Sequence, residues 1–132
     1  MQSVRFRIDL GPKCSIGPGK IDLLEAIARS GSIRQAAREL GMSYRRAWLL
    51  VDSVNRSFSE PSTRASVGGT GGGGVELTEF GTELVRRYRS ASRRIESIAQ
   101  AEFGDLAPKV RGVAKDAGRR RIAKRKKSAG AR

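Results

Sequence analysis

Gly31-Ser-Ile-Arg-Gln-Ala-Ala-Arg-Glu-Leu-Gly-Met-Ser-Tyr-Arg-Arg-Ala-Trp-Leu-Leu-Val-Asp-Ser-Val-Asn55 reads as two helices joined by a tight turn. Ser32 is placed to cap the first helix, because its hydroxyl can accept from the free backbone N–H groups of the first turn. Ile33, Ala36, Ala37 and Leu40 follow at helical spacing on one face. Gly41 can adopt a positive φ without a Cβ penalty, so it ends that helix. Met42 fills the corner and Ser43 caps the second helix. Tyr44, Ala47, Leu50 or Val51, Val54 and Phe58 give the second helix an apolar face. Ala37 is small, which lets the two helices cross closely, as a helix-turn-helix requires.

The remaining face of the second helix carries the functional signal. Ser43, Arg45, Arg46 and Leu49 point away from the core, with Tyr44 at its boundary. In a helix-turn-helix, this N-terminal end enters the major groove of DNA. Arginine can bond guanine N7 and O6 together, and serine or tyrosine can reach a phosphate or a base edge. Arg34 and Gln35 are placed to position the phosphate backbone. Trp48 is assigned to the scaffold, as packing is the commoner role of a tryptophan. The bland alternative is a helical hairpin whose arginines are merely solvated.

Composition points the same way. The chain has 132 residues and a net charge of +14, from 27 Lys and Arg against 13 Asp and Glu. That surplus calls for a polyanionic partner, with nucleic acid ahead of an anionic membrane surface. Cys14 is the single cysteine, so no intrachain disulfide can form, and there is no histidine. The commonest general base and metal ligand is therefore missing. No nucleophile–base pair or metal cluster stands out, so the chain is read as a non-enzyme without a cofactor. Its apolar runs are too short for a membrane span or a signal peptide. A cytoplasmic, nucleoid-associated protein is the expectation.

Outward from the central stretch, Val4, Phe6, Ile8 and Leu10 alternate with charged residues, predicting a strand with one buried face. Residues 11–19 are rich in Gly and Pro and read as a connection. Their spacing fits no phosphate-binding motif. A helix opens at Pro18 or Gly19, with Ile21, Leu24, Ile27 and Ala28 inward and Leu23 beside them, and Ser30-Gly31 ends it. Pro61 stops the helix begun at Ser43. Residues 63–67 and 75–77 read as short strands. Between them, residues 68–74 contain six glycines. As a β-hairpin tip this run is a wing lying against DNA, with Gly69, Thr70, Gly71, Gly72 and Arg64 toward the backbone. As a plain linker it would only separate domains. Its place just after the recognition helix favours the wing.

Thr78 caps a further helix expected to reach Phe103, about 38 Å long for about 25 residues. Leu84, Tyr88, Ala91, Ile95 and Ile98 step along it as a heptad seam. Such a stripe exceeds what a small core covers, and a second copy of the chain is its simplest partner. From residue 104 onward the chain carries +9 of its net charge. With few apolar residues it is expected to be a disordered basic tail that attracts phosphates without reading sequence. The division is then residues 1–77 for DNA binding, 78–103 for dimerisation and 104–132 as tail.

Strand, helices, wing and long helix together resemble the N-terminal DNA-binding domain of ModE, the molybdate-responsive bacterial regulator family related to the LysR-type winged helix. The resemblance rests on Gly17-Pro-Gly-Lys20, Leu23-Leu-Glu-Ala-Ile27, Gly31-Ser-Ile33, Ala36-Ala37, Gly41-Met-Ser-Tyr44, Ala47-Trp48, the glycines of 68–74, and Leu77-Thr78 with Gly81. It implies a mainly α fold with a small β component, a winged helix-turn-helix with a long C-terminal dimerisation helix. It also implies a homodimer on a two-fold-symmetric double-stranded DNA operator. The family adds C-terminal oxyanion-binding domains that sense molybdate. Residues 104–132 leave no length for one, so the effector, protein or ligand, is left open. The competing expectations are a nucleoid-type architectural protein binding by charge, and an adaptor acting through its long helix.

Overall fold

The computed structural model describes residues 3–66 and 74–112. It is mainly α with a small β component. In order come β1 (Ile8–Gly11), β2 (Cys14–Ile16), α1 (Pro18–Ser30), α2 (Ile33–Leu40), α3 (Tyr44–Ser57), β3 (Thr63–Ser66), β4 (Gly74–Leu77) and α4 (Glu79–Phe103), then a 3-10 helix over Gly104–Lys109. The described residues divide between a unit Arg5–Ser92 and a second unit containing 3–4 and 93–112. The first unit thus runs past residue 77, where the sequence placed a boundary, because the first turns of α4 supply part of its core.

In Arg5–Ser92 the caps expected at the helix ends form. Pro18 sits in the first turn of α1, where its missing N–H breaks no helical bond. Gly31 and Gly41 close α1 and α2 with φ of 73° and 71°. The Ser32 hydroxyl accepts from the Gln35 N–H at 3.0 Å, and the Ser43 hydroxyl from the Arg46 N–H at 3.1 Å. These bonds define a tight α2–turn–α3 corner. Leu23, Ala26, Ile27, Ala36, Ala37, Ala47 and Val51 form one buried cluster under α1, α2 and α3. The contribution of α1 differs from expectation at one point: Ala26 is buried and Ala28 is exposed.

A second cluster joins Ile16, Ile21 and Tyr88, with Phe6, Ile8, Phe58, Leu84 and Val85 against it. The stretch 11–19 is more than a connection, since β2 pairs antiparallel with β1. The register shifts between Asp9 and Gly11, which inserts Leu10 as an extra residue. A bulge reverses the inward–outward alternation beyond it. Leu10 is accordingly 57% exposed rather than part of the buried face.

The wing base is tied to the helices at two places. β3 and β4 pair antiparallel from Thr63–Leu77 to Ser66–Gly74. The Val75 N–H donates to the Gly31 carbonyl at 3.0 Å, fixing β4 to the α1–α2 corner. At the far end of α3, the Asn55 carboxamide oxygen accepts from the Ser62 N–H at 2.7 Å and the Ser62 hydroxyl at 2.6 Å. Its amide donates to the Thr63 hydroxyl at 3.0 Å. Ser62, fully buried, in turn accepts at its carbonyl from the Thr78 N–H. The Thr78 hydroxyl caps α4 by accepting from the Gly81 N–H at 3.0 Å. α3, the start of β3 and α4 thereby share one hydrogen-bonded junction.

α4 is held on α1 by charge. The Arg89 guanidinium donates to both Glu25 carboxylate oxygens and to Asp22, at 2.6–2.8 Å. The Arg89 hydrogen bond holds the Glu25 carboxyl below its ordinary value of 4.5, against the opposing effect of burial. A lowered folded-state value means stability that is full above 4.5 and lost as pH falls through the folded value. Arg89→Met is expected to lower the melting temperature at neutral pH and to flatten its fall below pH 4.5. Melting curves across that range check this; an unchanged acid limb in the variant would show that the pair does not couple folding to pH.

In the second unit, α4 continues to Phe103 and the chain then forms the 3-10 helix instead of losing structure at Gly104. Ile98, Phe103, Leu106 and Val110 are exposed. Residues 113–132, the dense part of the expected basic tail, lie outside the described residues.

Candidate nucleic-acid interface

The start of α2, the start of α3 and the base of the wing meet at a cleft of about 240 Å³, lined by Ser32, Ile33, Arg34, Tyr44, Gly74 and Val75. The Arg34 guanidinium lies over the Tyr44 ring, 4.4 Å from its centroid. A cation held on an aromatic face keeps its charge while losing freedom. Arg34 and Tyr44 therefore present one ordered, positively charged edge beside the first turn of α3.

Arg45 and Arg46 are exposed in that turn. Among the described residues neither has a carboxylate partner, nor do Arg34 and Arg38. Other arginines are paired: Arg29 with Glu39, Arg56 with Asp52, Arg86 and Arg87 with Glu83, and Arg89 with Asp22 and Glu25. Unneutralised guanidinium groups at the N-terminal end of α3 are available for phosphates or guanine edges. Gln35, exposed near the start of α2, accepts weakly from Arg38 at 3.4 Å. Leu49 is exposed one turn beyond Arg45.

Other expected site residues stand differently. The Ser43 hydroxyl is engaged by the N-cap bond, so its acceptor role is internal. Arg64 pairs with Glu76 across the β3–β4 ladder at 2.7 Å, so a carboxylate competes there with any phosphate. Gly69, Thr70, Gly71 and Gly72 lie outside the described residues. Tyr44, expected at the boundary of the apolar face, is 43% exposed. Trp48, assigned to the scaffold, is 47% exposed and belongs to neither buried cluster. Helical phase could have found it, since Trp48 lies about 100° round the helix from the buried Ala47.

The dimer seam is also partly redirected. Tyr88 is buried, stacks on Phe6 with ring centroids 4.5 Å apart, and donates to the Phe6 carbonyl at 2.6 Å. It is a core residue of Arg5–Ser92, not a seam residue. Leu84 packs on the same cluster and also lines an open apolar groove of about 710 Å³ with Leu10, Phe58 and Phe80. Ala91 and Ile95 are half-buried, and Ile98 is 63% exposed.

Among the described residues there is no group of three His, Cys, Asp or Glu side chains placed to hold a metal ion. No helix there is long and apolar enough to cross a membrane.

No protein-family model matches the chain. It is 37% identical over 93 residues, 70% of its length, to the molybdenum transport protein ModE of Azotobacter vinelandii. It is 44% identical over 102 residues, 74% of its length, to the molybdenum-pterin-binding protein MopB of Rhodobacter capsulatus. Over 85 residues, 64% of its length, it is 38% identical to the DNA-binding transcriptional dual regulator ModE of Escherichia coli K12. These matches cover 34%, 38% and 32% of the respective relatives, so the chain spans about a third of the length of the curated relatives it matches. The resemblance to ModE-type proteins read from the residues is borne out.

Proposed function

We propose that this chain binds double-stranded DNA as a sequence-selective transcription regulator of the ModE type, in molybdenum-linked gene control. The observation that carries the reading is the first turn of α3, where Arg45 and Arg46 stand exposed and unpaired among the described residues. The turn is fixed by the Ser43 cap and flanked by the Arg34–Tyr44 edge and the wing base. Arg45 and Arg46 reach base edges, while Arg34, Gln35, Arg64 and the wing position phosphates. The names of the relatives in Azotobacter vinelandii and Escherichia coli supply the molybdenum and transcription components of the proposal.

The chain acts as a homodimer. Exposed Ile98 and Phe103 and the groove lined by Leu10 and Leu84 support this, because apolar surface of that kind is stabilised by a covering partner. Two copies present two α3 helices, and the preferred DNA is then two-fold symmetric.

The test is selection from a random duplex pool, followed by sedimentation of wild type and Ile98→Lys. Enrichment of one two-fold-symmetric sequence, with a wild-type dimer and a monomeric variant that binds it more weakly, is expected. The net charge of +14 favours a second reading, an architectural protein binding mainly by charge. That reading predicts a steep salt dependence and no enriched sequence.

A further inference from the structure

We infer that Trp48 is a specificity residue that recognises thymine through its 5-methyl group in the major groove. The inference rests on the duplex-binding reading above and names a base class for the same helix. Tyr44, Trp48 and Leu49 are 43%, 47% and 46% exposed. Trp48 neighbours Tyr44 one turn back, while Leu49 neighbours Arg45, about 100° round the helix from Trp48. None of the three belongs to a buried cluster of the domain or packs at the edge of one. Of these, Trp48 presents the largest apolar surface to solvent, beside a Tyr44 ring that Arg34 already covers, and a ligand that covers the indole accounts for it.

Charge decides which ligand. Arg45 and Arg46 precede Trp48 on the same helix without a carboxylate partner among the described residues. A protein partner would have to desolvate both guanidinium groups to reach the indole, whereas DNA supplies phosphates and guanine edges for them. Within the major groove, the apolar feature is the C5-methyl group of thymine, beside the O4 acceptor. The helix then carries two kinds of reader: arginines for guanine, and the Trp48 indole for thymine methyl.

The experiment uses the sequence enriched by the wild-type chain from the random duplex pool. Each thymine in it is replaced in turn by deoxyuridine, which pairs identically but lacks the methyl. Wild type is expected to bind about fourfold more weakly at one or two such positions in each half-site, the effect of one buried methyl group. Trp48→Ala is expected to bind the parent duplex more weakly and to be indifferent to uracil there, while Trp48→Phe, which keeps an apolar ring, retains part of the discrimination. Trp48 is the chain's single tryptophan, so its own fluorescence reports on it. The emission should shift to the blue when duplex binds, as the indole leaves water.

Wild-type indifference to every uracil, with the enriched sequence still preferred over others, overturns the inference and leaves the regulator reading standing. An unshifted emission on duplex that anisotropy shows to be bound does the same. A Trp48→Ala variant that keeps the full uracil penalty also overturns it. A pool in which no sequence is enriched overturns the regulator reading, and the thymine inference with it.

Discussion

Gly81→Ala is expected to lower the melting temperature of the chain by at least about 10 °C, corresponding to a loss of about 3 kcal/mol in a domain of this size. A Cβ at Gly81 would fall well inside contact distance of the Ser62 carbonyl oxygen, with the Ser62 carbonyl carbon at 3.0 Å and its Cα at 3.2 Å. All three are atoms of a backbone segment that cannot swing aside like the end of a long side chain. Ser62 is fully buried and bonded to Asn55 and Thr78, so any retreat breaks those bonds as well. Each buried group left unpaired costs about 1–3 kcal/mol. Thermal unfolding followed by circular dichroism measures the effect. A melting temperature within a few degrees of wild type would mean that the junction between α3, the wing base and α4 yields freely.

Replacing Arg45 and Arg46 together by alanine is expected to leave the melting temperature nearly unchanged and to weaken binding of the enriched duplex by about thirtyfold or more. Both side chains are exposed and outside the buried clusters, so folding loses little. The Ser43 cap uses the backbone N–H of residue 46 and survives the change. Each bidentate arginine–guanine contact is worth about 1–3 kcal/mol, and two such losses compound to about thirtyfold or beyond. Titration of labelled duplex by anisotropy gives the number. Binding within a few-fold of wild type would place the recognition surface elsewhere.

Much of the fold was legible because its signals are local. Ser32, Gly41 and Ser43 mark the helix corner through capping chemistry that depends on few neighbours. Ala36, Ala37, Ala47, Val51 and Val54 give the inner face through helical period alone. What escaped depends on partners distant in the chain. The bulge at Leu10 arises from pairing with a strand that the Gly and Pro content of 11–19 concealed. Tyr88 keeps perfect heptad phase, yet its ring stacks on Phe6 and its hydroxyl finds the Phe6 carbonyl. Periodicity says that a helix face is apolar and leaves open which surface covers it.

The candidate site divides along the same line. Arg45 and Arg46 were readable from their place after a cap, as residues off the apolar face. That neither has a carboxylate partner among the described residues emerges only in three dimensions, where Arg64, expected to hold a phosphate, is found paired with Glu76. Trp48 was misplaced because residue type outweighed phase. Its position one turn beyond Tyr44 puts it on the exposed face, and Tyr44 itself turns outward under Arg34.

Whether the first turn of α3 reads bases is measured by binding wild type, Arg45→Ala and Arg46→Ala to every single-base variant of the enriched duplex. At least one variant, Arg45→Ala first, is expected to lose discrimination at one guanine of each half-site, by about 1–3 kcal/mol, and to keep it at the other positions. A uniform loss of affinity across all variants for both proteins would contradict the account, because both arginines would then hold only phosphates.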